Sequence, residues 1–214
     1  MNPDIAFALG SAPAVVQPAL QALWSLDDAF GRVLATGREA MISRIRLAWW
    51  REALERLDRE PPPKEPILEG LAQYLLPAGI KGAELGEMEP GWALLPGDQP
   101  ITADELESYA KARGGTLFRL SAHLLGEAMA VEAAGEAWAL VDLARHSTEK
   151  SDVDAALAAA RARNLPGRWP RKLRPLGMLA SLAKRDLKRG PERWEEAGSP
   201  PRVARMLRHR LTGF

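Results

Sequence analysis

Apolar residues recur at three- and four-residue spacing along most of the chain, and no run of alternating β-branched residues breaks the pattern. That period belongs to helices that bury one face. It predicts an all-α fold, most simply one helical domain over residues 1–214. The spacing predicts long helices over 18–35, with Leu20, Leu23, Trp24, Phe30 and Leu34 inward, and over 39–57, ending before Pro61-Pro62-Pro63. A short helix is expected over 67–76. The Gly- and Pro-rich stretch 77–101 is expected to be loop with fragments of helix.

Thr102 and Glu105 have capping-box spacing, so a helix should start there and run through Tyr109. Gly114-Gly115 then permits a break or a close helix contact before 117–125 resumes. Further helices are expected over 135–145, over 152–163 with Ser151 as N-cap, over 175–188 with Gly190 as stop signal, and over 201–211.

Composition narrows the classes of function. With no cysteine, disulfides, thiolate metal sites and a cysteine nucleophile are excluded. No apolar stretch approaches the roughly 20 residues of a membrane span, and the N-terminus lacks a signal-peptide pattern. A cytoplasmic protein is expected, with peripheral contact at the inner membrane as an option. Net charge is +1, but residues 161–214 hold 15 Lys/Arg and 4 Asp/Glu, a balance of +11, which leaves −10 for the remainder. Such polarity serves either internal docking of opposite faces or a basic surface for an anionic partner.

The most distinctive run is Arg44-Ile-Arg-Leu-Ala-Trp-Trp-Arg-Glu-Ala-Leu-Glu-Arg-Leu57, with two adjacent tryptophans in a basic helix. It resembles the Arg-Leu-x-Trp-Trp helix of the squalene/phytoene synthase family. The resemblance extends from about Ala22 to Leu143 and implies an isoprenoid synthase type of bundle, here shortened. Gly135 to His146 is similar to the family's Gly-x-Ala-x-Gln-x-x-Asn-x-x-Arg-Asp segment: Gly135, Ala137 and Arg145 match, while Ala139, Asp142 and His146 stand in place of the glutamine, the asparagine and a metal-binding aspartate. Tyr109 to Gly126 is similar to the family's central helix. In active members, as the resemblance implies, aspartates on two facing helices hold magnesium ions that bridge to a diphosphate. Here Gly31, Arg32 and Ala35 fall about where the first set of aspartates would stand. Magnesium demands oxygen ligands, so these replacements argue against the metal.

Each candidate residue carries two readings. Asp27 and Asp28 point roughly 100° apart on a helix, which suits a solvated or partner-facing pair better than a metal clamp. Asp142 and His146, four residues apart, could share a transition-metal site or form an ion pair. Arg44, Arg46 and Arg51 beside Trp49 and Trp50 could fork onto a diphosphate, or stack on indoles and pair with Glu52, Glu55 and Asp58. The Tyr109 helix is either core or the wall of a prenyl cavity.

The tentative ligand set is therefore Asp27, Asp28, Arg44, Arg46, Trp49, Trp50, Tyr109, Asp142, Arg145 and His146, with no catalytic or metal residue assigned. A non-catalytic protein that binds a lipid or isoprenoid, a membrane surface or a protein partner is expected. The degenerate motifs are similar to those of a branch whose mitochondrial members look like assembly factors for respiratory complex I. The alternative is a prenyl transferase, for which Mg2+ would be the cofactor; otherwise none is expected. Nucleic acid is disfavoured, because the basic segment offers only Trp169, Trp194 and Phe214 for stacking.

Overall fold

The structure, a computed structural model, describes residues 1–37, 39–97 and 100–214. Among these residues there are helices and no strand. In chain order they are α1 (Pro3–Gly10), α2 (Gln17–Thr36), α3 (Ala40–Arg56), α4 (Pro66–Tyr74), α5 (Gly82–Gly86), α6 (Glu89–Ala93) and α7 (Ala103–Tyr109). A π-helical turn, Ala110–Gly115, joins α7 to α8 (Thr116–Leu124), and α9 (Glu132–His146), α10 (Lys150–Arg161), α11 (Arg174–Arg189) and α12 (Pro200–Thr212) follow. None of the described helices is long and apolar enough to cross a membrane.

Local chemistry accounts for most boundaries. The Thr102 hydroxyl accepts from the Glu105 amide at 3.3 Å while Glu105 accepts from the Thr102 amide at 2.9 Å, the expected capping box. The Glu65 carboxylate accepts from the Leu68 amide at 2.8 Å, and Pro66 at the first helical position sets the start of α4. Gly190, at φ 75°, closes α11 as expected. Asp58 does not pair with a neighbouring arginine; it accepts from the amides of Gly82 and Ala83 at 2.6 and 3.0 Å and so ties the end of α3 to α5.

One expectation needs correction. The α10 helix starts a turn's edge earlier than expected, with Glu149 at the N-cap and Ser151 inside the first turn, where the Ser151 side chain makes no cap. At Gly114-Gly115, where the sequence permits a break or a close helix contact, the structure has the close contact: helical geometry continues from 103 to 124 through the wide π turn, which packs on α9. The stretch 77–101 contains α5 and α6, and Leu85 and Trp92 of these fragments are buried, as is Met88 between them; residues 98 and 99 of that stretch lie outside the described residues.

Close approach of two backbones positions the centre of the bundle. A Cβ on Gly114 would lie 2.2 Å from the Gly135 carbonyl oxygen, and one on Gly135 would lie 2.1 Å from that of Gly114. Only a pair of glycines lets the π turn and α9 cross this tightly. The crossing is surrounded by a continuous aromatic core. Trp24 meets Trp138 edge-on at 5.1 Å and Phe118 at 6.2 Å, and Phe30 meets Trp50 at 6.1 Å and Trp92 at 6.4 Å.

Candidate functional site

The inward stripe of α2 runs through Leu20, Leu23, Trp24, Asp27 and Phe30, all buried. Asp27 therefore enters the core as part of a helical face, while Asp28, one residue on, turns away. Across the bundle, the stripe of α7 and the π turn runs through Leu106, Tyr109, Ala110 and Arg113. Asp27 and Arg113 are each only 4% exposed.

They meet in a forked ion pair. Arg113 Nε donates to Asp27 Oδ1 at 2.9 Å and Nη2 to Oδ2 at 2.9 Å. The Arg113 Nη1 group reaches Asp142 Oδ2 of α9 at 2.7 Å and also donates to the Tyr109 hydroxyl. The guanidinium carbon lies 4.2 Å from the Trp92 ring centre and 4.9 Å from that of Trp138, so its faces are covered by indoles. Trp92 Nε1 donates to Asp27 Oδ1 at 3.2 Å. Every polar edge of the guanidinium is thus engaged and the group is dry.

Burial alone would discharge Arg113, but Asp27, Tyr109 and Asp142 outweigh it and hold the guanidinium well above its usual value. Burial raises the Tyr109 hydroxyl above its ordinary range, only partly offset by Arg113. Neither group exchanges protons near neutrality. Neither Arg113 nor Tyr109 therefore serves as a general acid or base near neutrality.

The structure brings together Asp27, Tyr109 and Asp142, leaves His146 beside Asp142 at the exposed edge, and engages the rest of the expected set elsewhere. Asp28 pairs with Arg32 and lies 3.5 Å from the amino terminus. Arg44 donates to the Pro96 carbonyl at 2.7 Å, and Arg46 is exposed. Arg51 pairs with Glu55 at 3.1 Å. Trp50 is buried against Phe30, whereas Trp49 is 42% exposed and touches Trp50 edge-on at 5.3 Å. Arg145 reaches Asp186 at 3.1 Å and the Glu195 carbonyl at 2.7 Å. His146 is exposed; its Nδ1 bonds the Asp142 main-chain carbonyl at 2.8 Å and lies 3.6 Å from the Asp142 carboxylate.

Sequence reasoning gave no role to Arg113 or Trp92. The available signal was an arginine at a buried-stripe position four residues beyond Tyr109 and four before Leu117. A second buried ionic cluster also escaped it: Arg202 binds Asp4 at 2.8 Å and Asp186 at 2.7 Å, joining α1, α11 and α12.

The magnesium ions implied by the resemblance do not fit these residues. Both carboxylates that face the centre, Asp27 and Asp142, are directed at a permanent cation, and a divalent ion there would meet the guanidinium. Among the described residues no group of three or more His, Asp or Glu side chains converges as a metal would require. The crevice beside Asp142, bounded by Trp138, Arg145, Asp186 and Arg202, holds ≈ 40 Å³. Small-molecule pockets run to roughly 300–1,000 Å³. The interior between α2, α8 and α9 is filled by Trp24, Phe118 and Trp138.

Comparison with known proteins agrees with the resemblance. A family model described as squalene/phytoene synthase matches residues 3–173. No curated protein and no solved structure matches the chain.

Proposed function

The chain belongs to the squalene/phytoene synthase family, and from that premise we propose that it is a non-catalytic member, a binding protein built on an all-α bundle of the isoprenoid synthase type. The observation that carries this reading is the position of Arg113. In a catalytic member, carboxylates on two facing helices gather metal ions, and these hold the diphosphate. In this chain the facing carboxylates are Asp27 on α2 and Asp142 on α9, and the cation between them is covalently part of the protein. The guanidinium supplies inside the fold the positive charge that a metal would supply, and it leaves no vacant coordination position.

The filled aromatic centre supports the same conclusion, since a crevice of ≈ 40 Å³ cannot admit an isoprenoid chain. The Arg113 cluster serves as a specifying element: buried ion pairs contribute little net stability compared with a well-packed apolar core, but they penalise any register in which a charge is left alone. What remains for function is the surface. We further propose that this surface serves an assembly role of the kind suggested by the respiratory complex I branch, with a lipid, membrane or protein partner.

The catalytic reading is tested by incubating the protein with farnesyl and geranylgeranyl diphosphates in the presence of magnesium or manganese, with chelator as control. The proposal expects no metal-dependent diphosphate release. The assembly role is tested by deletion of the encoding gene: loss of assembled complex I supports it, and intact complex overturns it.

A further inference from the structure

The last two helices lie beyond the segment that matches the family and carry nine Lys/Arg residues against one acidic residue, Asp186. Between them runs a groove of ≈ 620 Å³ lined by Lys184, Arg185, Lys188, Arg189, Arg193 and Arg205. Among the described residues no carboxylate lines it. Glu195 pairs with both Arg185 at 2.7 Å and Arg189 at 3.3 Å, offsetting one of their two charges, and Asp186 is turned inward toward Arg202. Among the described residues, Lys184, Lys188, Arg193 and Arg205 form no ion pair, and Arg205 Nε is buried without a hydrogen-bond partner. Like charges held this close without counterions create a strong local field for anions.

A second depression of ≈ 240 Å³ shares Lys184 and Arg205 with the groove and continues over Leu165, Trp169, Ala180 and Phe214. The cationic groove thus passes into an apolar hollow. Beside it, the outer face of α12 presents Leu207 at 42% exposure and Leu211 at 77%, and Phe214 follows at 56%. Arg208 and Arg210 are exposed on the same helix. Leucines set among arginines on one exposed helix face are the signature of an element that lies in a bilayer interface.

We propose that the α11–α12 end of the bundle docks on an anionic bilayer, with lipid phosphates entering the groove at Lys184, Lys188, Arg193 and Arg205 and with Leu207, Leu211 and Phe214 entering the headgroup–acyl boundary. The inference rests on the binding-protein reading and names its partner surface. A nucleic acid would use the same cations but would leave the exposed leucines unused. It would also find a poor stacking platform, since Trp169 is buried and Trp194 half-buried, which leaves the single exposed ring of Phe214.

The test is co-sedimentation of the full chain with phosphatidylcholine vesicles, alone and with phosphatidylglycerol added, at low and high salt. A single-stranded oligonucleotide and inorganic phosphate serve as competitors. The wild-type protein should bind the anionic vesicles and not the neutral ones, more weakly as salt rises. A Lys184→Glu/Lys188→Glu variant should lose at least about tenfold in binding, since each basic residue near the surface contributes about fivefold. Leu207→Ser/Leu211→Ser should weaken binding to anionic vesicles without changing the thermal melt, as both side chains are exposed. Equal binding to neutral vesicles, no vesicle binding, oligonucleotide binding alone, or full displacement by inorganic phosphate would each overturn the proposal. These outcomes are independent of diphosphate release, so a failure here is distinguishable from a failure of the non-catalytic reading.

Discussion

Arg113 and Asp27, 86 residues apart in sequence, form a two-pronged ion pair in the core, with both nitrogen–oxygen distances at 2.9 Å. The pair joins the helix that would carry the first metal motif to the helix preceding the second. On the proposed reading it stands where an active member would hold its metal ions.

Removing one partner should therefore be far more damaging than removing both. Asp27→Ala leaves the buried guanidinium with Asp142 alone, and a loss of about 3–5 kcal/mol is expected from an uncompensated buried charge. The double variant Asp27→Leu/Arg113→Met should recover much of that loss, because apolar replacement of a buried pair is often close to neutral. Urea unfolding of the two single variants and the double variant measures the coupling. Additive losses would show that the pair does not act as a unit.

Gly114→Ala and Gly135→Ala should each destabilise the protein by roughly 1–3 kcal/mol or more, since each added methyl would overlap the opposing backbone. Gly10→Ala is the control: nothing lies within 4 Å of its would-be Cβ, and the change should be neutral or mildly stabilising. Thermal melts of the three variants check this contrast.

His209 should make stability fall in mild acid. Burial, reinforced by Arg205 and Arg174 and only partly offset at the Phe214 main chain, pushes its imidazole down from 6.5 to about 4. The unfolded chain then takes up a proton below about pH 6.5 while the folded protein does not. The contribution is fully present above pH 6.5 and is lost as pH falls toward 4. Chemical denaturation between these limits should show a steeper decline for the wild type than for His209→Gln.

A similar packing constraint surrounds that histidine. A Cβ on Gly177 would lie 2.2 Å from His209 Nε2 and 2.7 Å from the Trp169 ring. Gly177→Ala should push α11 and α12 apart, lowering the melting temperature and exposing Trp169 to quenchers of indole fluorescence.

The helices were legible in the sequence where the signal is local. The Thr102–Glu105 box, the Gly190 stop and the α2 stripe all depend on residues a few positions apart, and the structure follows them. Short α1 was not foreseen, although its Asp4 anchors Arg202 nearly the whole chain length away. The candidate site was half legible. Asp142 stood out in a motif segment, but Asp27 needs correction: expected as half of a solvated or partner-facing pair, it is buried because it falls on the inward stripe of α2 and meets Arg113, which reads as one more charge beside two glycines until the Gly114–Gly135 crossing turns it into the core. Trp92 was hidden in a stretch whose Gly and Pro content suggested loop, and only its hydrogen bond to Asp27 reveals its place.

The most direct test of the account is diphosphate release by the well-folded wild-type protein from farnesyl and geranylgeranyl diphosphates with magnesium or manganese. If Arg113 occupies the position of the metal centre, release should equal the chelator control at every metal concentration. Metal-dependent turnover that is abolished by Asp142→Ala would contradict the account and return the chain to the enzymes of its family.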